Sequence, residues 1–198
     1  MTEYILFGLT AKMVHQSIWN ETALGFAVDL GLLLDTGIKG TKVAMVMTNF
    51  GTDMQLDGRD LIRGYDQLPN STSNPDTEAK LSTEGWPLPT NLRLSVTTDL
   101  MGSIDSFIPN EDNRITLIAD VSHPNDNLEH YNFGIEYGLY NSYFIRTGYR
   151  GNTDEEGLTL GAGINFEISD ETRIIFDYAY ADFGVFDHVQ HFSLGLKF

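Results

Sequence analysis

The residues best suited to chemistry are five histidines, and no arrangement of them indicates a metal site or a catalytic site. They are His15, His123, His130, His188 and His191. Successive side chains of a β-strand point to opposite faces, so His188 and His191, three residues apart, cannot bind one metal ion together. The chain also has no Cys, no Gly-x-Ser-x-Gly turn and no Gly-x-x-x-x-Gly-Lys phosphate loop. We therefore predict a protein that is not an enzyme and that has no catalytic residue, cofactor or metal.

Asp187 and His188 leave one enzymatic alternative open. They stand side by side at a loop-to-strand junction and resemble the Asp/His chemistry of the omptin proteases, which are ten-stranded membrane barrels. Because no second Asp pair can be placed beside them, we interpret them as ordinary polar residues of a junction.

Acidic side chains cluster in two predicted loops, and their spacing does not fit an EF-hand calcium site. One loop carries Asp53, Asp57 and Asp60, and the other carries Asp154, Glu155 and Glu156. We interpret both clusters as solvated loop residues. The alternative is weak bridging of divalent ions to lipopolysaccharide.

A further set of charged residues falls on the predicted inward face of the strands. Both signs are interspersed in it, so we predict ion pairs that offset the desolvation cost of a filled interior. The alternative is a lumen that steers a solute. These candidate lumen charges are Lys12, Asp29, Arg93, Asp99, Arg114, Asp120, Glu136, Arg146, Arg173 and Asp177.

The elements that position these side chains are strands, because apolar and polar residues alternate with a period of two along most of the chain. In the segment from Leu158 to Ile168, for example, every second residue is apolar. The pattern predicts about ten strands, at about 3–14, 23–34, 41–50, 91–101, 113–122, 129–140, 143–150, 157–168, 171–182 and 188–198. Most are longer than the typical ~5–6 residues of soluble sheets and approach the ~9–11 of a membrane-spanning strand.

The connections give an independent indication. Links near Asp170, at 141–142 and at 35–40 are short, and they alternate with longer polar links at 151–156, 123–128 and 51–90. Outer-membrane barrels have this asymmetry of short periplasmic turns and longer outer loops. The link 102–112 contradicts it, because it is long on the short-turn side, and there we expect a small helix or a strand extension.

The last residues match a barrel-assembly signal in part. Phe198 ends the chain, Leu196 and Leu194 precede it at alternate positions, and His191 supplies the polar residue of the signal, while Ser193 stands where the consensus has Gly. We therefore predict an all-β, antiparallel, transmembrane outer-membrane β-barrel. It comprises 1–198 as a single domain with a long outer loop at about 51–90.

Composition is compatible with this fold. A net charge of −16 and a pI near 4.4 exclude binding to the phosphate backbone of nucleic acids, and 41% hydrophobic residues exclude disorder. The mean hydropathy of −0.18 averages lipid-facing and lumen-facing residues of the same strands. We interpret six tyrosines as interfacial girdles, with a carbohydrate-stacking platform as the alternative: Tyr131, Tyr137, Tyr143, Tyr149, Tyr178 and Tyr180.

Several phrases, in their order along the chain, carry a family resemblance. They begin with Gly8-Leu9-Thr10-Ala11-Lys12, Gln16-Ser17-Ile18-Trp19 and Phe26-Ala27-Val28-Asp29-Leu30-Gly31, followed by Asn49-Phe50-Gly51 and Trp86-Pro87-Leu88-Pro89. They continue with Pro124-Asn125-Asp126-Asn127, Gly134-Ile135-Glu136-Tyr137 and Arg146-Thr147-Gly148-Tyr149-Arg150. The chain resembles the PorV/PorQ family, which is related to the FadL-like fatty acid transport barrels.

The resemblance implies a barrel of about fourteen strands in the outer membrane of Bacteroidetes-like Gram-negative bacteria, made with a signal peptide and an N-terminal plug. This sequence shows no signal peptide, no plug and about four strands fewer than the family has, so we interpret it as a C-terminal fragment. The alternative is a complete ten-stranded barrel.

The implied function is that of a type IX secretion-associated accessory or attachment barrel. The alternatives are passive transport of hydrophobic small molecules and a soluble all-β binding domain. The implied partners are outer-membrane lipid, lipopolysaccharide, the barrel-assembly machinery and secretion-system components.

Overall fold

A computed structural model describes residues 4–67, 70, 76–153, 157–169 and 172–198, and these residues are almost entirely β-structure. Ten strands are long: β1 (Tyr4–Ile18), β2 (Glu21–Asp35), β3 (Lys42–Gly51), β7 (Asn91–Gly102), β9 (Asn113–Pro124), β10 (His130–Leu139), β11 (Tyr143–Gly151), β12 (Leu158–Ser169), β13 (Thr172–Asp182) and β14 (His188–Lys197). Four are short: β4 (Asp57–Gly58), β5 (Ile62–Tyr65), β6 (Thr77–Lys80) and β8 (Ile108–Pro109). Two single 3-10 turns, Arg59–Leu61 and Gly184–Phe186, complete the described elements. No helix in these ranges is long and apolar enough to span a membrane.

The ten long strands lie where the alternating pattern predicts strands. The largest difference is at the first connection, where β1 and β2 run to within two residues of each other around the turn Trp19–Asn20, and Trp19 has a φ of 56°. The link 102–112 contains the short, separate strand β8, whereas a small helix or a strand extension was expected there. The predicted turn at 170–171 lies outside the described residues.

The main sheet has the strand order β1-β2-β3-β7-β9-β10-β11-β12-β13-β14, with β4 beside β2 and β8 beside β7. Adjacent long strands from β7 to β14 pair antiparallel, whereas β8 pairs parallel with β7; β5 and β6 form a separate two-stranded sheet. The predicted all-β, antiparallel fold is therefore confirmed. Among the described strands, β1 and β14 are the two ends of the order, so the sheet is not closed.

The contacts within the chain divide it into two compact units. The first unit consists of Met1–Gly8, Gly31–Met47 and Asn91–Phe198, and the second consists of Leu9–Leu30 and Thr48–Thr90.

In the first unit, the register sorts side chains onto two contrasting faces. Phe133 pairs with Ala119 and Tyr149, and this row continues to Leu158 on β12. Glu136 pairs with Thr116 and Arg146 on the opposite side of the same strands. We call the first side the apolar face, with Val96, Leu117, Phe133, Ile135 and Leu160, and the second the polar face, with Asp99, Thr116, Glu136, Arg146 and Asp177.

Exposure on these faces is the reverse of that in a soluble sheet. On β10 the apolar-face residues are exposed, Phe133 by 61%, whereas Asn132 and Glu136 on the polar face are half-buried. Three polar residues of this unit, Ser106, Thr116 and Ser122, are buried. None of the buried apolar residues in the described chain lies in the first unit.

The second unit has a small conventional core. Ala23 and Ala27, on β2, are buried together with Met54 and Leu88, and Val14, Leu56 and Trp86 pack around them. Met54 and Trp86 exchange backbone hydrogen bonds of 2.8 Å, and Gly25 leaves room for the Met54 side chain, since a Cβ there would approach Met54 Cγ to 3.0 Å. The connection 51–90, predicted as a long outer loop, thus supplies half of this core and contains β4, β5 and β6.

Candidate functional site

The polar face of the first unit carries a three-residue charge cluster centred on Arg146. Arg146 Nε lies 2.6 Å from Glu136 Oε2, and its Nη1 lies 2.6 Å from Asp177 Oδ1. Glu136 is on the neighbouring strand β10, but Asp177 is on β13, two strands away from β11. Arg146 therefore lies across β12 to join three strands.

Glycines on β12 make this crossing possible. Gly161 is the direct partner of Arg146, and Gly163 is the direct partner of Asp177. A Cβ at Gly163 would overlap Asp177 Oδ1 and approach Arg146 Nη1 to 3.0 Å. The absence of a side chain at Gly163 is thus what allows the guanidinium to reach the second carboxylate, whereas a Cβ at Gly161 would be in ordinary contact with Arg146 Cβ at 3.5 Å.

A second polar group joins β7 and β9 on the same face. The Thr116 hydroxyl donates to Asp99 Oδ1 at 2.7 Å, and Arg114 Nε donates to Thr116 Oγ1 at 3.1 Å. Arg114 Nη2 completes the group with a longer contact of 3.4 Å to Asp99 Oδ1. Thr116 is buried, so its hydroxyl is paired on both sides as a buried polar group requires.

A third group runs from β9 to β11. Asn132 Nδ2 donates to Asp120 Oδ1 at 2.6 Å, and Arg150 Nε donates to Asn132 Oδ1 at 2.9 Å. The Asn132 amide thereby connects a carboxylate to a guanidinium through its two ends. Asn132 and Arg150 were not among the predicted lumen charges, although Arg150 follows Arg146 by four residues and so shares its face.

The remaining predicted charges of the first unit differ from each other. Arg173 Nη2 lies 2.5 Å from Glu167 Oε1, an ion pair between the neighbouring strands β12 and β13. Arg93 pairs in register with Ser122 and lines a groove at one end of the polar face. Within the described ranges, Arg93 has no ion-pair partner.

The second unit has its own charge cluster, made by Lys12 and Asp29. Lys12 Nζ lies 2.6 Å from Asp29 Oδ2 and 3.0 Å from Asn49 Oδ1. The Asn49 N–H donates to Asp29 Oδ1 at 2.9 Å. Asn49 has a φ of 58°, a conformation that asparagine tolerates better than most residues, and this geometry turns its N–H toward the carboxylate.

The predicted barrel-assembly residues lie on or next to β14. Leu194 and Leu196 pair with Phe176 and Ile174 on β13 and are exposed, and Phe198 follows the strand as an exposed residue. His191 pairs with Ala179, which places it on the polar face.

His188 lies on the opposite face to His191, as expected for residues three apart on a strand. Its Nδ1 contacts Asp187 Oδ1 at 2.7 Å, so the adjacent Asp/His pair is a local hydrogen bond. No group of three His, Asp or Glu residues in the described part of the chain is placed to hold a metal ion.

Two of the described acidic loop residues, Asp57 and Asp60, have individual partners. Asp57 Oδ1 lies 2.5 Å from Lys80 Nζ, and this hydrogen bond holds the pKa of Asp57 below its ordinary value. Asp60 accepts a hydrogen bond of 2.7 Å from Asn20 Nδ2. Asp154, Glu155 and Glu156 lie outside the described residues.

The tyrosines on β10 and β11 form two bands on the apolar face. Tyr131 and Tyr137 on β10 are six residues apart, which corresponds to about 20 Å along the strand. Tyr143 and Tyr149 have the same separation on β11. Phe133 and Ile135 lie between the two tyrosines of β10, and Ile145 and Thr147 lie between those of β11. Of the other two predicted girdle residues, Tyr178 contacts Phe192 at a centroid distance of 5.0 Å and Tyr180 stacks on His188 at 5.3 Å.

No protein-family model, curated protein or solved structure matches this chain. The resemblance to the PorV/PorQ family therefore depends on the phrases quoted above and stays a prediction.

Proposed function

We propose that this sheet forms the wall of an outer-membrane β-barrel of the PorV/PorQ type, with the apolar face toward lipid and the polar face toward the lumen. The observation that carries the proposal is the reversed exposure of the first unit. On β10, β11 and β12, which are described throughout, the apolar face includes no Asp, Glu, Lys or Arg, yet most of its side chains are exposed. Soluble monomers rarely expose a continuous apolar surface larger than a few hundred Å².

The tyrosine bands support the same orientation. Outer-membrane barrels carry an apolar belt about 25 Å tall, bounded by aromatic residues at both interfaces. The separation of about 20 Å between the tyrosines of β10 fits such a belt. In a bilayer the edges of the sheet must also be paired, so the proposal requires a strand neighbour for the free edge of β1 and of β14 in the assembled protein.

Electrophoresis without boiling tests the membrane-barrel proposal. Folded barrels in detergent resist unfolding and migrate differently before and after heating. We expect the full chain to insert into detergent micelles or lipid vesicles and to show this heat-modifiable mobility. A chain that stays monomeric and soluble without detergent contradicts the proposal and favours the soluble all-β binding domain.

Within the barrel proposal, we favour the accessory or attachment role in type IX secretion over transport of hydrophobic molecules. The charges of the polar face are engaged with each other in the clusters of Arg146, Arg114 and Arg173, as in a filled structural interior. Such a face offers few apolar contacts to a hydrophobic solute. In the native host, deletion of the gene should release secreted cargo from the cell surface. Uptake of a labelled fatty acid by liposomes that contain the protein would instead support transport.

The proposed partnership with the barrel-assembly machinery has a matched test at the C-terminus. Phe198→Ala removes the terminal aromatic residue of the signal, and we expect it to lower the amount of protein in the outer membrane several-fold. Lys197→Ala, at the adjacent position, is the control and should leave that amount unchanged. Equal outer-membrane amounts of the two variants would contradict this role for Phe198.

A further inference from the structure

A groove at one end of the polar face of the first unit gathers cationic and amide side chains from several strands. Its volume is about 240 Å³, and its lining includes Arg93, His130, Asn132 and Arg150. This is below the roughly 300–1,000 Å³ of pockets that hold drug-sized ligands. The groove is therefore suited to a small group.

The register explains why these residues meet. Arg93 on β7 pairs with Ser122 on β9, and Ser122 pairs with His130 on β10. Arg150 on β11 pairs with Asn132, which is two residues beyond His130 on the same face of β10. Each of the four adjacent strands β7, β9, β10 and β11 thus presents one or two polar side chains to the groove.

The charge of the groove is opposite to that of the whole protein. Among the described residues, its lining has two arginines and one carboxylate, Asp126, in a chain whose net charge is −16. Arg93 is exposed in the groove and has no ion-pair partner among the described residues. Arg150 is held in place by its hydrogen bond to Asn132 Oδ1 at 2.9 Å.

Two polar side chains around the arginines have groups that can donate a hydrogen bond, those of His130 and Asn127. His130 Nδ1 lies 3.2 Å from the backbone oxygen of Asn152. Because a carbonyl oxygen only accepts, Nδ1 is the donor of this hydrogen bond. The other ring nitrogen, Nε2, is an acceptor in the neutral imidazole and a donor in the imidazolium. Asn127 also lines the groove, and its Oδ1 accepts from the Leu128 N–H, which leaves its NH₂ group as the donating end.

We propose that this groove binds a small oxyanion of the phosphate type, either free or as part of a larger molecule. A guanidinium recognises such a group through two parallel N–H donors. Pro124 is the one apolar residue among the described residues of the lining, so this part of the groove does not suit a hydrocarbon chain. The site goes beyond the proposed barrel role, because it assigns a ligand class to a defined part of the polar face.

Isothermal titration calorimetry with inorganic phosphate, on the full chain in detergent micelles at low ionic strength, tests the site. We expect one saturable binding event in the wild type. Arg93→Gln should weaken it about tenfold or more, which is the range expected for a hydrogen bond to a charged group. Arg93→Lys keeps the charge without the planar fork and should bind with intermediate affinity.

Arg63→Gln is the matched control, because Arg63 is exposed on β5 and lies outside the groove. Far-UV circular dichroism checks that every variant retains its β-structure. Absence of saturable phosphate binding in the wild type overturns the proposal, as does an equal loss of affinity in Arg93→Gln and Arg63→Gln.

A competition arm identifies the source of the phosphate group. Displacement of phosphate by dihexanoyl phosphatidic acid, lost in Arg93→Gln, supports a lipid head group as the ligand. Phosphate binding that dihexanoyl phosphatidic acid does not displace supports a soluble phosphate compound. If the protein proves soluble without detergent, the same titration runs in buffer, so failure of the barrel proposal and failure of this site are distinguishable.

Discussion

The two units of the molecule bury opposite kinds of side chain. In the second unit, Ala23, Ala27, Met54 and Leu88 are buried against each other, as in a small soluble protein. Among the described residues of the first unit, the buried side chains are those of the polar residues Ser106, Thr116 and Ser122, while most aromatic and aliphatic residues of the apolar face are exposed. Both units are built from long strands with the same alternation of apolar and polar residues.

The difference shows that alternation alone does not say which face is covered. The connection 51–90 brings Met54 and Leu88 onto residues of β2, and this local cover is what makes the core of the second unit. No described segment covers the apolar face of β10 to β12 in this way. If lipid surrounds that face, the effect of a substitution there on stability should depend on the bilayer, whereas the effect of a substitution in the core of the second unit should not.

The largest effect is expected in the core of the second unit. Met54 is 2% exposed, and Met54→Ala should lower the free energy of unfolding by about 2–5 kcal/mol, because it removes buried atoms and leaves a cavity. Urea unfolding followed by Trp86 fluorescence, in a Trp19→Phe background, measures the loss. Met13→Ala is the control in the same unit, since Met13 is 68% exposed. Equal losses in the two variants would show that Met54 does not support a core.

A charge on the apolar face is the next test. Val96 lies in the middle of β7 and is 41% exposed, so in a soluble protein Val96→Arg should change stability by no more than about 0.5 kcal/mol. In a bilayer the same substitution should cost about 2–4 kcal/mol, because the arginine must enter hydrocarbon. Folding into lipid vesicles as a function of urea concentration measures the difference.

Ser95→Arg is the control for this test, because Ser95 is the adjacent residue on the polar face and pairs in register with Asp120. We expect it to fold like the wild type. If Val96→Arg and Ser95→Arg fold equally well, the two faces of β7 are in contact with the same solvent. The apolar face of the first unit would then not be covered by lipid.

The Arg146 cluster should give an intermediate effect. Arg146→Gln leaves Glu136 and Asp177 without their shared cation on a half-buried face. Because solvent still screens the cluster, we expect a loss of about 1–2 kcal/mol, between the values for exposed and buried ion pairs. Gly163→Ala should cause a similar loss, since its Cβ occupies the path to Asp177. In the Arg146→Gln background, Gly163→Ala should lower the free energy of unfolding by less than it does in the wild type. If the two losses of stability simply add, the two residues do not act on the same contact.

The ten long strands could be predicted from the sequence, because in each of them apolar and polar residues alternate over nine or more residues. The sequence was not sufficient for β4, β5, β6 and β8, which have two to four residues and no measurable period. Met54 could not be identified as a core residue either, because its partners Ala23 and Leu88 are about 30 residues away on either side and no local pattern connects them.

Candidate site residues show the same division between local and distant information. The pairing of Lys12 with Asp29 and of Arg114 with Asp99 follows from opposite charges on neighbouring strands. The contact of Arg146 with Asp177 depends instead on Gly163, on the strand between them. The sequence does not show that this glycine lies between the two side chains until the register is known. Arg150 was within reach of sequence reasoning, since it shares the face of Arg146 four residues earlier.

The smallest predicted effect concerns the connection 51–90, where Lys80 lowers the pKa of Asp57. A carboxyl group whose pKa is lower in the folded state stabilises that state above its unfolded pKa of about 3.9, and this contribution is lost as the pH falls through the folded pKa. Lys80→Gln removes the cause, so the difference in stability between the wild type and Lys80→Gln should be constant near neutral pH and shrink below about pH 4.

Trp86 fluorescence in the Trp19→Phe background, recorded during urea unfolding at several pH values, follows this difference in the unit that contains both residues. Carboxylates that Lys80 does not contact titrate alike in the wild type and in Lys80→Gln, so their contributions cancel in the difference between the two free energies of unfolding. Arg63→Gln, which removes a positive charge from the strand paired with that of Lys80, should show no such loss at low pH. A difference that stays constant down to pH 2.5 would mean that the contact between Lys80 and Asp57 does not couple to folding.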